Sequence, residues 1–110
     1  YRGNLTGIIA AFRQHTDAQV TLLTPTPVVE TIVAENTDYQ NMQMTWVNTD
    51  LAAFAEVVRE IATTHNVPVV DLFAAFGESP SPDLYLLDGL HPNFAGQQEM
   101  LKTIAGTYLN

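Results

Sequence analysis

The sequence predicts an α/β fold in which helices cover a parallel β-sheet. Amphipathic and apolar segments alternate along the 110 residues in the order helix, strand, helix, strand, helix. Strands that are separated by helices favour right-handed crossovers and parallel pairing. Because two strands leave unpaired groups at their edges and few sheets stop at two, we expect further strands to come from outside this chain.

The first helix and the first strand are predicted by two different periodicities. Apolar residues at helical spacing indicate a helix over about residues 4–15. These residues are Leu5, Ile8, Ile9 and Phe12. Residues 19–24 are short, rich in β-formers and followed by Pro25, which predicts a strand. Pro25 and Pro27 then impose an extended exit, because proline fixes its own φ and restricts the residue before it.

The middle of the chain contains the second strand and the longest helix. Val28 to Val33 has the pattern of a short helix, and the polar stretch Thr37 to Gln43 is expected to be a loop. The apolar positions from Asp50 to His65 predict an amphipathic helix. Residues 67–72 are nearly all apolar, which is typical of a strand covered on both faces.

The last third predicts a loop, a tight turn and a closing helix. Residues 77–82 combine glycine, serine and proline and are expected to be a loop. The closing helix follows Pro92 and is indicated by five apolar positions. They are Phe94, Leu101, Ile104, Ala105 and Tyr108. We find no linker or repeat, so residues 1–110 are taken as a single segment of one domain.

Composition excludes several classes of function. The net charge is −8, with only four Lys and Arg residues. We therefore expect no basic surface that binds the phosphates of a nucleic acid or the headgroups of an anionic membrane. No apolar run has the length of a membrane span. The absence of cysteine removes disulfides, thiolate zinc sites and cysteine nucleophiles. Since the chain begins at Tyr1 without a signal-like segment, we expect a processed product or part of a longer chain.

The segment Asp88-Gly89-Leu90-His91-Pro92 carries the clearest chemical signal. Gly89 permits a tight turn, and Pro92 keeps His91 out of helical geometry. Asp88 can then accept a hydrogen bond from His91 Nδ1, which fixes the tautomer and leaves Nε2 free as a base. The alternative is a helix-capping aspartate beside a surface histidine, and spacing alone favours this structural interpretation.

Other candidate residues have simpler explanations. His15 and His65 lie near helix ends without a third ligand at metal spacing, so no metal site is predicted. Four apolar or aromatic residues could line an acyl or sugar pocket, although plain packing is preferred for them. They are Tyr39, Met42, Met44 and Trp46. The segment Leu84 to Leu87 is expected to wedge the Asp88–His91 turn in place, with contact to substrate as an alternative for Tyr85. Asp71 is expected to act as a turn or cap residue.

Residues Asp88 to Asn93, together with Gly96, resemble the last conserved block of the SGNH or GDSL-type hydrolases. Residues 4–15, the strand with its Thr-Pro-Thr-Pro exit, and residues 66–72 resemble the segments that precede this block in the family. The resemblance implies a three-layer α/β/α sandwich with a parallel, flavodoxin-like sheet, of which this chain is the C-terminal half. It further implies an ester hydrolase that needs no cofactor or metal, with an acyl or acetylated carbohydrate ester as substrate.

Within this resemblance, His91 corresponds to the general base and Asp88 to its orienting carboxylate. The family's Gly-Asp-Ser block, oxyanion glycine and Gly-x-Asn block would precede Tyr1. Ser79 and Ser81, the only serines, lie in the predicted loop and are not expected to be nucleophiles. We therefore expect the chain to be inactive until completed by an N-terminal half or a swapped copy.

The alternative hypothesis is a non-catalytic binding or assembly module that keeps a remnant of the fold. The sequence before Tyr1 in the parent gene discriminates between the two, since a Gly-Asp-Ser block there favours the enzyme. The family resemblance slightly favours an extracytoplasmic location.

Overall fold

The computed structural model describes residues 1–109. This part of the chain contains six α-helices, two short strands and one 3₁₀ turn. In chain order they are α1 (Arg2–His15), β1 (Leu22–Leu23), α2 (Glu30–Glu35), α3 (Thr37–Asn41), α4 (Asn48–His65), β2 (Val69–Val70), α5 (Leu72–Phe76), the 3₁₀ turn (Pro82–Leu84) and α6 (Phe94–Leu109). This order confirms the predicted α/β class and the three long helices.

The two strands pair in parallel, with Leu22 opposite Val69 and Leu23 opposite Val70. The pairing extends past the strand ends, because the Thr24 backbone N–H donates to the Val70 carbonyl at 3.1 Å. Both strands are shorter than predicted. Because the strands are parallel, both end at the same edge of the sheet, and the residues that follow them lie close together there.

The main core lies between the sheet, α1 and α4. Its buried residues are Ile9, Leu22, Val58, Ile61 and Ala62. Because side chains alternate along a strand, Leu23 and Val70 point to the opposite face of the sheet. Val70 is fully buried, whereas Leu23 is 45% exposed. The face opposite α1 and α4 is therefore only partly covered by residues 1–109.

Two predictions of local structure were wrong. The predicted loop over Thr37 to Gln43 contains α3, whose first turn is capped by the Asn36 side chain accepting from the Tyr39 N–H. The predicted strand over residues 67–72 ends at Val70, because Leu72 already begins α5. Only Asp71 interrupts the apolar residues of the strand and of the helix that follows it, so periodicity did not reveal the boundary between them.

Asp71 lies between β2 and α5 and caps α5, as predicted. Its carboxylate accepts from the Ala74 N–H and from the Thr24 hydroxyl, and receives two hydrogen bonds from the Arg59 guanidinium. The Arg59 hydrogen bonds are the largest influence on the Asp71 pKa and lower it from its ordinary value, although partial burial opposes them. Asp71 thus ties α4, β1 and α5 together at the carboxyl edge of the sheet.

Within the described residues, no helix has both the length and the apolar character needed to cross a membrane. The same part of the chain contains no cluster of three or more His, Cys, Asp or Glu side chains arranged to hold a metal ion.

Candidate active site

The segment from Tyr85 to Pro92 forms a small closed turn in front of α6. Tyr85 and Pro92 make an antiparallel bridge, and the Leu86 N–H donates to the His91 carbonyl at 2.8 Å. Inside this loop the Gly89 N–H donates to the Leu86 carbonyl at 3.0 Å. The turn that carries Asp88 and His91 is therefore fixed by backbone hydrogen bonds at its base and near its tip.

Gly89 is required at the tip of this turn. Its φ is +71°, in the left-handed region that side chains disfavour. It is also packed against α2, since a Cβ atom there would lie 2.7 Å from Ile32 Cβ and 3.1 Å from the Val29 carbonyl oxygen. The Gly89 carbonyl accepts a hydrogen bond from the Val29 N–H at 2.9 Å. The turn is thereby attached to the segment that follows β1.

Asp88 and His91 are in direct contact. His91 Nδ1 lies 2.6 Å from Asp88 Oδ2, and Asp88 Oδ1 accepts from the backbone N–H groups of Leu90 and His91 at 2.9 and 3.0 Å. The backbone contacts fix the carboxylate against the turn, so Oδ2 is presented to the imidazole. This arrangement holds the ring as the Nδ1–H tautomer and turns Nε2 outward.

Asp88 is ionised over the whole physiological pH range. Partial burial raises its pKa, but the hydrogen bonds from the His91 ring and from the backbone of His91 and Leu90 outweigh that effect and lower the pKa to about 2. The carboxylate can therefore stabilise an imidazolium whenever His91 accepts a proton.

His91 is open to solvent on the side away from Asp88. Its side chain is 64% exposed, while that of Asp88 is 25% exposed. Among residues 1–109 no group hydrogen bonds to Nε2. The nitrogen that would act as a base is thus accessible to a reacting group from outside this part of the chain.

Two residues hold the turn onto the rest of the fold. The Tyr85 hydroxyl is buried and donates to the Pro27 carbonyl at 2.5 Å, and its ring packs edge-on against Phe76 at 6.0 Å. Asn93 caps α6, since its side-chain oxygen accepts from the Gly96 N–H at 3.0 Å. Its amide donates back to the Asp83 and Tyr85 carbonyls. Tyr85 therefore holds the turn in place, as predicted for the segment Leu84 to Leu87, whereas Leu86 and Leu87 of that segment are exposed and contribute little.

Tyr39 reaches the site from α3. Its hydroxyl donates to Asp88 Oδ2 at 3.2 Å, and its ring packs edge-on against Trp46 with 5.0 Å between ring centroids. The sequence had singled out Tyr39 and Trp46 only as pocket or packing residues. Met42 and Met44, grouped with them, are 56% and 45% exposed and do not belong to the buried core.

The remaining candidates lie apart from the His91–Asp88 pair. Ser81 caps the 3₁₀ turn by accepting from the Asp83 N–H, and Ser79 is exposed in the preceding loop. His15 ends α1, and the His65 carbonyl accepts a hydrogen bond from Arg13. No hydrogen bond within residues 1–109 joins any of these side chains to His91.

The fold and the site together indicate a class of protein. An aspartate holds Nδ1 of a histidine at the edge where the parallel strands end, and α/β proteins commonly place their functional sites at this edge.

Comparison with known proteins identifies the family. Residues 1–99 match the GDSL-like Lipase/Acylhydrolase family, and the chain belongs to it. The chain is 30% identical over 80 residues to a human protein, isoamyl acetate-hydrolyzing esterase 1 homolog, and the match covers 73% of this chain and 32% of that protein. The family confirms the esterase-type hydrolase resemblance that the Asp88-to-Asn93 block predicted.

Solved structures confirm the fold. A Bacteroides fragilis protein described as an acylhydrolase superposes with a TM-score of 0.73 and 21% identity over 96% of this chain and 48% of its own. A catalytic mutant of Axe2, an acetylxylan esterase from Geobacillus stearothermophilus, superposes with a TM-score of 0.69 and 23% identity over 97% of this chain and 45% of its own. The chain thus spans about a third of the human relative and just under half of these structures.

Proposed function

We propose that this chain supplies the general base, His91, and its orienting carboxylate, Asp88, to a serine ester hydrolase. The observation that carries the proposal is the 2.6 Å contact between His91 Nδ1 and Asp88 Oδ2, with Nε2 exposed on the other side of the ring. The lowered pKa of Asp88 adds support, because the carboxylate is charged at every pH at which an esterase works.

The reaction that fits this pair is acyl transfer through an acyl-enzyme. His91 Nε2 removes the proton from a serine hydroxyl as the serine oxygen attacks the ester carbonyl, and Asp88 stabilises the imidazolium that results. The imidazolium then gives the proton to the departing alcohol. In the second half His91 takes a proton from water as the water oxygen attacks the acyl carbonyl. The imidazolium returns that proton to the serine oxygen as the bond between serine and acyl group breaks and the acid leaves.

We infer that the nucleophilic serine and the oxyanion hole come from a segment outside these 110 residues. Ser81 is engaged in capping the 3₁₀ turn, and Ser79 is in an exposed loop with no contact to His91 among the described hydrogen bonds. The solved structures of Axe2 include catalytic mutants in which a serine or a histidine is replaced by alanine, which supports a serine and histidine mechanism in a protein of this fold. An acyl ester or an acetylated carbohydrate is the proposed substrate class.

The proposal is tested by the hydrolysis of p-nitrophenyl acetate. The chain alone should show no activity above background, and a longer polypeptide that joins it to a segment with a Gly-Asp-Ser block should be active. In the active protein His91→Ala should lower kcat/KM by about 10³-fold or more, and Asp88→Asn should cause a large loss of kcat.

Two matched controls separate the proposed roles from general damage. His65→Ala replaces a histidine at the end of α4, and the double variant Ser79→Ala/Ser81→Ala removes every serine of this chain. Both should keep kcat/KM close to that of the unsubstituted protein. Normal activity in the His91→Ala protein would overturn the proposal.

A further inference from the structure

The carboxylate that holds His91 receives a second hydrogen bond that neither the family match nor the sequence assigns. Asp88 Oδ2 accepts from His91 Nδ1 at 2.6 Å and from the Tyr39 hydroxyl at 3.2 Å. The two donors share one oxygen atom, while Oδ1 is occupied by two backbone N–H groups. The strength of either donor contact to Oδ2 therefore depends on the other, since a shared acceptor lone-pair region divides its charge between them.

The Tyr39 hydroxyl is aimed by a fixed piece of backbone. The Tyr39 N–H donates to the Asn36 side chain at 3.1 Å, and its carbonyl accepts from the Met44 N–H at 2.9 Å. Its ring is half-buried and rests edge-on against Trp46. These three contacts restrain Tyr39, so its hydroxyl is held near Asp88 more firmly than it would be in an unrestrained loop.

The hydroxyl stays protonated and so remains a donor. Burial raises the pKa of Tyr39, and the negative charge and hydrogen bond of Asp88 raise it further, with a smaller contribution from the Asp38 carboxylate on the same helix. Asp38 and Asp88 are the charged groups that act on Tyr39, and His91 is the titratable group on the far side of the shared oxygen.

We propose that Tyr39 is a positioning residue that sets the orientation and basicity of His91 by sharing Asp88 Oδ2. This inference rests on the proposed function and extends it to α3, a segment 49 residues away from the His91–Asp88 turn along the chain. Two backbone N–H groups already hold Oδ1 of the carboxylate, and Tyr39 adds a restraint on Oδ2. Tyr39 also withdraws part of the charge of Oδ2, so the imidazolium of His91 is stabilised less than a carboxylate without this donor would stabilise it.

The test uses the active protein that contains the complete site and the variant Tyr39→Phe, which removes only the hydroxyl. The bond is long for an O–H donor, so its loss should lower kcat for p-nitrophenyl acetate by about three- to tenfold. KM should not change, because Tyr39 acts on Asp88 and not on the ester. The acid limb of the kcat/KM profile should move to higher pH, since the freed carboxylate stabilises the imidazolium more strongly.

A spectroscopic measurement gives a readout that does not need turnover. In Tyr39→Phe the proton on His91 Nδ1 should resonate further downfield, because Asp88 Oδ2 then accepts one hydrogen bond in place of two. The control is Tyr1→Phe, whose hydroxyl makes no hydrogen bond within the described residues and whose ring packs against Phe54. It should leave kcat, the pH profile and the proton resonance unchanged.

The outcomes distinguish this inference from the proposed function. If His91→Ala is inactive while Tyr39→Phe keeps the pH profile and the Nδ1 resonance of the unsubstituted protein, Tyr39 is not a positioning residue and the base assignment stands. A rise in KM alone would also overturn the inference, because it would place Tyr39 against the substrate. If His91→Ala is active, the proposed function fails irrespective of Tyr39.

Discussion

Gly96 allows the closest approach between α6 and the base of the Asp88–His91 turn. It is buried, and a Cβ atom at this position would overlap the Leu84 carbonyl oxygen and lie 2.8 Å from Pro92 Cβ. Leu84 and Pro92 flank the turn on its two sides. The substitution Gly96→Ala must therefore push α6 away from the element that carries the candidate base.

The magnitude follows from two opposing effects. Alanine is favoured over glycine inside a helix by up to about 1 kcal/mol. Overpacking a closely fitted contact costs about 1–3 kcal/mol. We expect the upper end of this range for Gly96→Ala, because the clash is with a backbone oxygen that cannot rotate away. We expect a net loss of about 2 kcal/mol in the free energy of unfolding. Gly7→Ala in α1 is the matched control, because nothing lies within 4 Å of its added Cβ; it should gain about 1 kcal/mol.

Urea unfolding followed by circular dichroism measures both variants. For a small domain, a change of about 2 kcal/mol moves the midpoint by about 1 M. The midpoint should fall for Gly96→Ala and rise for Gly7→Ala. If the two glycines respond in the same direction and by the same amount, the contact between α6 and Leu84 does not constrain the turn and our account of its support is wrong.

Two further predictions concern the turn itself. The pKa of Asp88 is depressed to about 2 from an ordinary value of 3.8, so its contribution to stability is complete above pH 3.8 and is lost as the pH falls through about 2; it amounts to about 2 kcal/mol. Asp88→Asn should therefore be less stable at neutral pH and show a flatter stability profile between pH 4 and pH 2, whereas parallel profiles would contradict the lowered pKa. Tyr85→Phe leaves the Pro27 carbonyl without its buried donor and should cost about 1–2 kcal/mol in thermal unfolding; an unchanged stability would show that this hydrogen bond does not hold the turn.

Local chemistry made the turn and the long helices predictable. Gly89 and Pro92 limit the backbone between them enough to predict a turn that allows Asp88 to contact His91. Spacing alone favoured a helix-capping aspartate, and the resemblance of the Asp88-to-Asn93 block to a known family singled out the pair. The helix from Asn48 to His65 has a continuous apolar stripe, so only its first two residues were missed. Both the turn and the helix are determined by residues within or next to them in the sequence.

The parts that the sequence did not predict depend on contacts between distant segments or on weak local signals. The short polar helix α3 has no apolar stripe and is started by the Asn36 cap, whose effect on so short a helix is not visible in hydrophobic periodicity. The hydrogen bond from Tyr39 to Asp88 joins residues 49 positions apart, in two segments that each contact α2. A tyrosine, an aspartate and their separation carry no sequence signal for such a contact.

The most direct test of the account is to label the active protein with a serine-reactive fluorophosphonate and to locate the modified residue by peptide mass spectrometry. If His91 is the base for a nucleophile supplied from elsewhere, the label should be found on a serine outside residues 1–110, and His91→Ala should suppress labelling while His65→Ala does not. A label on Ser79 or Ser81, or full labelling of the His91→Ala protein, would contradict the account.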